Sequence, residues 1–116
     1  MNVDFKQKLT DTKGIKIFIE EAGQEVARAT LFILKNDYRK RHYGFLEDVF
    51  VNESLRGQGI GTKLIKEIIK VAKDNNCYKI VATSRYGREK VHELYERLGF
   101  KNFGIEFKMY LEDLNN

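Results

Sequence analysis

Phe45-Leu46-Glu47-Asp48-Val49-Phe50-Val51-Asn52-Glu53-Ser54-Leu55-Arg56-Gly57-Gln58-Gly59-Ile60-Gly61-Thr62-Lys63-Leu64 runs from an apolar strand, through a loop with alternate glycines, into an amphipathic helix. Glycines at the mouth of a helix let the backbone approach a bound group closely. The unpaired N–H groups of the first helical turn then point at that group, backed by a dipole equivalent to roughly +0.5 charge. Such a place suits phosphate or pyrophosphate, so a phosphorylated ligand is expected here.

On the C-terminal side, Ile60, Leu64, Ile65, Ile68, Ile69, Val71 and Ala72 recur at helical spacing, with Lys63, Lys66, Glu67, Lys70 and Lys73 on the other face. This predicts a helix over 59–73, stopped by Asp74-Asn75-Asn76. Tyr78 to Thr83 is a nearly continuous apolar run and predicts a strand buried on both faces. A second helix is expected from about Arg88, with Val91, Leu94, Tyr95 and Leu98 on one face and Gly99 as its C′ residue. Phe103 to Leu111 reads as a final strand, and the tail from Glu112 to Asn116 as frayed.

On the N-terminal side, Tyr43 to Val51 is a strand that delivers the chain to the loop. Asn36 to His42 is a polar loop. Val26 to Leu34 and the alternating Ile15, Ile17 and Ile19 make an antiparallel pair around a turn at Glu21-Ala22-Gly23-Gln24-Glu25. Asn2 to Leu9 reads as a short first strand, with Thr10 to Gly14 as a turn. Antiparallel strands followed by strand–helix–strand–helix–strand give an α/β (or α+β) fold with a mixed sheet, in one domain over residues 1–116.

The composition, 42% hydrophobic and 33% charged, is that of a globular chain. No apolar run approaches the roughly 18 residues that span a membrane. The charged first twenty residues show no signal peptide, and the single cysteine, Cys77, fits a reducing compartment, so a cytoplasmic location is expected. The net charge of +4 favours anionic partners only mildly.

Two phosphate-binding patterns fail on spacing. A dinucleotide fingerprint would need glycine at Thr62, and Gly61-Thr62-Lys63 inverts the Gly-Lys-Ser/Thr order of a Walker A loop. Arg56-Gly57-Gln58-Gly59-Ile60-Gly61 instead fits Gln/Arg-x-x-Gly-x-Gly/Ala, and Leu94-Tyr95-Glu96-Arg97-Leu98-Gly99-Phe100 follows at a fitting distance. In these motifs, and across residues 43–111, the chain resembles the GNAT superfamily of acetyl-CoA-dependent N-acetyltransferases. Within the superfamily it resembles glucosamine-phosphate N-acetyltransferases, which share Glu-Asp ahead of the loop, and, less closely, diamine acetyltransferases. It departs from the former where they hold the sugar, with Thr83 at an acidic position and a late basic position near Tyr110 that is not basic here. Typical members also carry two helices between their first two strands, and the short spacing here implies that this pair is missing. The acceptor pocket would then be open, or completed by another subunit.

The resemblance implies that the backbone of Val49, Phe50 and Val51 pairs with the pantetheine arm. It implies also that Arg56, Gly57, Gln58, Gly59, Ile60, Gly61 and Thr62 hold the pyrophosphate, and that Tyr95 donates to the departing thiolate. Arg88 stands where many members have a coenzyme-contacting asparagine. Glu47 and Asp48 are adjacent acids in an apolar strand, whose side chains would point to opposite faces unless a bulge intervenes. An amine with a pKa near 10.4 is deprotonated about once in 2,500 molecules at pH 7, a deficit of roughly 4.6 kcal/mol that a general base can relieve. Glu47 is the first choice for that base, Asp48 the second. Each assignment has a plainer counterpart: a packing turn for the glycines, a core position for Tyr95, an edge ion pair for the acids.

His42, His92 and Cys77 show no metal-ligand spacing, so no metal is expected. The expected function is acetyl transfer from acetyl-CoA to an amine (an amino sugar, a polyamine or a protein amine) by direct attack in a ternary complex. An acetyl-CoA-binding module without catalysis is the first rival. A small nucleic-acid-binding domain using Arg39, Lys40 and Arg41 is the second. A bare final strand and an open acceptor side leave room for a homodimer; no membrane partner is expected.

Overall fold

Ala27, Ala29, Leu31 and Ile33 alternate along the strand β2 (Gln24–Leu34) and are all buried, while Phe32 between them is exposed. That period of two sets the layer order of the fold: one face of the sheet is covered, the other is open. The computed structural model describes residues 2–115. β1 (Thr12–Glu21) pairs antiparallel with β2, β2 pairs antiparallel with β3 (His42–Val51), and β3 pairs parallel with β4 (Cys77–Ala82). The sheet is therefore mixed, in the order β1-β2-β3-β4. The expected turn at Glu21 to Glu25 narrows to Ala22 and Gly23, both at positive φ.

The covering layer is α1 (Ile60–Asp74). Its buried residues Leu64, Ile65, Ile68 and Ala72 form one stripe, and the helix packs against all four strands. Leu31, Ile65 and Ile68 are the largest fully buried side chains. Each contributes roughly 1.5–3 kcal/mol by leaving water. Gly44 belongs to this packing: a Cβ there would stand 2.7 Å from Leu31 Cδ1.

The chain divides into two compact units, one ending at Ala82 and the next beginning at Thr83. The second unit holds α2 (Glu89–Arg97), where Val91, Leu94, Tyr95 and Leu98 are half-buried and no residue is fully buried. Gly99 ends the helix as expected. Its φ is +104°, its N–H donates to Glu96 C=O (3.1 Å), and Phe100 N–H donates to Tyr95 C=O (2.9 Å). This is a Schellman cap.

Four expectations need correction. Residues 2–11 contain no strand, and β1 begins at Thr12, inside the expected turn. Residues 101–110 contain no helix or strand, so the expected last strand does not pair. A strand exists only where a neighbour satisfies its N–H and C=O groups, and periodicity alone does not supply one. β4 is consequently an edge strand: of its residues only Cys77 is buried, and Lys79 is exposed. Finally, Leu111–Asn115 forms a 3₁₀ turn rather than a frayed tail; Asn116 lies outside the described residues. Among the described residues no helix precedes β1.

Candidate active site

The pairing of β3 is unequal on its two sides. Toward β2 it continues from Tyr43–Leu34 to Val51–Ala27. Toward β4 it stops at Leu46–Ala82. Beyond Leu46 the two parallel strands part, and among the described residues the backbone of Val49, Phe50 and Val51 has a strand neighbour on one side only.

A bulge lies at the same place. Thr30 pairs with Glu47 and Arg28 with Phe50, so Ala29 faces both Asp48 and Val49. Asp48 takes φ +58°, the left-handed conformation that a bulged residue adopts and that acidic side chains tolerate. The alternation of the strand is broken there, and Glu47 and Asp48 line one open pocket of about 540 Å³ with Thr30, Phe32, Leu34 and Phe45. The two acids thus share a pocket, the outcome that a bulge alone permits.

Arg28 fixes this arrangement and was missed in the sequence. Its guanidinium reaches Asp48 Oδ1 (3.4 Å) and Glu25 Oε2 (3.2 Å) and lies over the Phe50 ring, 4.9 Å from its centroid. These carboxylates, Asp48 first, hold the Arg28 pKa above its ordinary value. Glu25 is held below the usual carboxylate range, mainly by its hydrogen bond to Lys16 and further by Arg28. The available signal was a charge between Ala27 and Ala29 in an otherwise apolar stretch. Asp48 is thus engaged by Arg28, one residue after Glu47.

The glycine loop follows. Asn52 N–H donates to Val26 C=O (2.7 Å), and Asn52 Oδ1 caps the short turn Glu53–Leu55 through Ser54 N–H. Arg56 Nε donates to Val51 C=O (3.3 Å) and Gln58 Nε2 to Ser54 C=O (3.3 Å). These side chains tie the loop to itself. Gly57 and Gly59 lie at φ +80° and +75°, and a Cβ on either would meet nothing within 4 Å. Packing of helix on sheet therefore does not require these glycines; the backbone conformation does. Gly59 N-caps α1 without a side-chain hydrogen bond, and the first turn (Ile60, Gly61, Thr62) holds no acid. The positive end of the helix is left uncompensated, as an anion site requires. Main-chain donors and a pyrophosphate fit one another here.

In the second unit, Tyr95 occupies the C3 position of the Schellman cap, its ring 5.2 Å from that of Phe100. Burial pushes its phenol above the ordinary value of 10.0. Arg88 is the N-cap of α2, with its C=O accepting from His92 N–H (3.1 Å), and its side chain is exposed. His92 is half-buried, with Nε2 3.1 Å from Ser84 Oγ, rather than plain surface. Cys77 is buried and its thiol raised by desolvation, which fits packing. Arg39 lies over the Tyr78 ring and Arg41 bonds Asn76 Oδ1 and Cys77 C=O, so two of the three loop cations serve the fold. No helix among the described residues is long and apolar enough to cross a membrane.

The model for the acetyltransferase (GNAT) family matches residues 2–100. The chain belongs to the GNAT family. It is 36% identical over 88 residues to the glucosamine 6-phosphate N-acetyltransferase of Trypanosoma brucei brucei, covering 74% of this chain and 58% of that protein. It is 38% identical over 58 residues to a thialysine N-epsilon-acetyltransferase of Sus scrofa, covering 50% and 34%. The solved glucosamine-6-phosphate N-acetyltransferase of Arabidopsis thaliana superposes with a TM-score of 0.74 at 29% identity, covering 84% of this chain and 67% of that one. This GNAT chain thus spans little more than half the length of its trypanosomal relative.

Proposed function

We propose that the protein is an acetyl-CoA-dependent N-acetyltransferase that moves acetyl to a primary amine by direct attack in a ternary complex. The observation that carries the reading is the parting of β3 from β4 beyond Leu46–Ala82, beside the bulge at Asp48 and ahead of the glycine loop. Val49 to Val51 offers main-chain groups on its open side for an amide-bearing arm, and residues 56–62 offer N–H groups for the pyrophosphate. Hydrogen bonds to a charged partner contribute roughly 1.5–3 kcal/mol each, so a few of these anchor a coenzyme. The reading takes residues 1–116 as one domain, supported by a family match that runs through both compact units.

Acetyl-CoA supplies the acetyl group as a thioester. Glu47 takes the proton of the amine, directly or through water, as the nitrogen–carbon bond forms and the carbon–sulfur bond breaks. Tyr95 hydrogen-bonds the sulfur that leaves, and its raised pKa keeps it a donor at neutral and mildly alkaline pH. The acceptor is an amine of the kinds named in its relatives, an amino sugar phosphate or a lysine-like amine.

One observation favours the rival, a coenzyme-binding module: Tyr95 already has a structural task in packing on Phe100. A thermal-shift screen of acetyl-CoA with candidate amines tests both. Catalytic transfer predicts stabilisation by the coenzyme and a further shift with one class of amine. Absence of any shift with acetyl-CoA would overturn the proposal.

A further inference from the structure

The pocket that holds Glu47 has mostly apolar walls. Phe32 and Phe45 are direct partners across β2 and β3, and Leu34, two residues along β2, lies on the same face. Phe32 leans over Gly14 of β1: a Cβ on that glycine would stand 3.0 Å from Cε1 of the ring. The polar side chains of the lining are the Thr30 hydroxyl and the carboxylates of Glu47 and Asp48.

The charges on this face are unequally engaged. Strand register sets Lys16 opposite Thr30 and Thr30 opposite Glu47, so the three stand in one row across β1, β2 and β3. Lys16 is paired with Glu25 and lies over the Phe18 ring, 5.1 Å from its centroid. Arg28 is held between Glu25 and Asp48. Lys79 of β4 lies over the rings of Tyr43 and Tyr78, 5.1 and 5.3 Å from their centroids. The Glu47 carboxylate, by contrast, has no hydrogen bond or ion pair among the described residues. The charge left without a partner in the pocket is negative.

We infer, on the acetyl-transfer reading above, that the acceptor is an aliphatic primary amine bound as its ammonium ion, and not an amino sugar phosphate. Opposite charge draws an ammonium to Glu47, and the ring faces of Phe32 and Phe45 attract a cation as well. An alkyl stem leaves water against Phe32, Leu34 and Phe45. An amino sugar phosphate would bring a multiply charged anion to a lining that holds no cation and one unpaired carboxylate, where it has nothing to replace its water. Transfer balances for the ammonium: it loses two protons, one to Glu47 and one that ends on the leaving sulfur, as the nitrogen–carbon bond forms and the carbon–sulfur bond breaks. A free diamine and a lysine side chain present the same alkyl ammonium to this pocket.

Amide shifts in an isotope-labelled full chain, titrated in the presence of coenzyme A, and thiol release from acetyl-CoA test this on three amines: cadaverine, α-N-acetyl-lysine amide and glucosamine 6-phosphate. The expected result is that an alkyl amine shifts the amides of Thr30, Phe45 and Glu47 with a dissociation constant at least about tenfold below that of glucosamine 6-phosphate. The same order is expected in kcat/KM, and the preferred of the two alkyl amines identifies the source. Phe32→Ala, at an exposed position, should raise the alkyl amine's dissociation constant and KM at least about fivefold while kcat changes less than about twofold. If that variant does not fold, the preference of the unaltered protein decides alone. Glucosamine 6-phosphate bound as tightly as the alkyl amines, no shift in the pocket with any amine, or an unmoved dissociation constant in folded Phe32→Ala would each overturn the inference. Binding of an alkyl amine in the pocket without thiol release would uphold the class of ligand and overturn acetyl transfer.

Discussion

Arg28 and Asp48 form an ion pair one residue after Glu47. Asp48 sits at φ +58° with its carboxylate against Arg28, whereas Glu47 keeps the regular strand geometry one residue earlier. Glu47→Gln is therefore expected to lower kcat on an amine acceptor by about 10²-fold, since a general base of this kind contributes roughly 10²–10⁴. Asp48→Asn should act differently, weakening the hold of Arg28 and the bulge, with a smaller effect on kcat. Pre-steady-state rates on both variants separate the roles. Tyr95→Phe keeps the ring against Phe100 and removes only the hydroxyl, so folding should persist while kcat falls by about 10²-fold and KM for acetyl-CoA stays near its original value. Because burial raises the Tyr95 pKa, the alkaline fall in kcat should come above pH 10, and it should be absent from Tyr95→Phe. A fall well below that pH would assign the limb to another group.

The elements divide into those that shape the loop and those that support it. Gly59→Ala forces an alanine to φ +75°, a strain of roughly 1–2 kcal/mol. Gly23→Ala, at φ +78° in the β1–β2 turn and equally open, is the control. Both are expected to lower Tm similarly, and calorimetry should show weaker acetyl-CoA binding for Gly59→Ala alone. In β1 and β2, Glu25 is paired with Lys16 and Arg28 and its pKa is depressed in the folded state. A depressed carboxylate stabilises the fold above its unfolded value, near 4.5, and loses that contribution as pH falls through the folded value. Denaturant unfolding of Glu25→Gln should thus show a deficit at pH 7 that shrinks as the pH is lowered beneath the unfolded value.

The elements also mark how far the sequence could be read. The α1 stripe, the alternation of β2 and the Gly99 cap were legible because each is a local pattern with one physical solution. The bulge at Asp48 was legible only as a condition: adjacent acids in an apolar strand required it, but nothing local placed it. Residues 2–9 and 103–111 alternate as strands do, yet periodicity describes which face a residue would take, not whether a neighbour exists to bond it. Arg28 was overlooked for the same reason, since its partners are brought by strand pairing from Glu25 and Asp48. The spacing of the glycine loop alone suggested an anion cradle, and its reading as a coenzyme site came from the resemblance in Leu94 to Phe100.

Across the whole molecule, the parted strands and the glycine loop lie in the first unit, and Tyr95 and Arg88 lie in the second. Both belong to one catalytic cycle if acetyl transfer is the function, so substitutions in either should lower turnover without removing the other's fold. Gly44→Ala offers a purely structural contrast. Its Cβ would press on Leu31, costing about 1–3 kcal/mol and lowering Tm with kcat preserved in the folded fraction. The most direct test of acetyl transfer is a thiol-release assay with purified protein, acetyl-CoA and a panel of amino sugars, amino sugar phosphates, polyamines and lysine-like amines. Transfer predicts thiol release that requires one class of amine, matches the acetylated amine formed mole for mole, and collapses in both Glu47→Gln and Tyr95→Phe. Thiol release no faster than without protein for every amine, from a well-folded sample that binds the coenzyme, would contradict it.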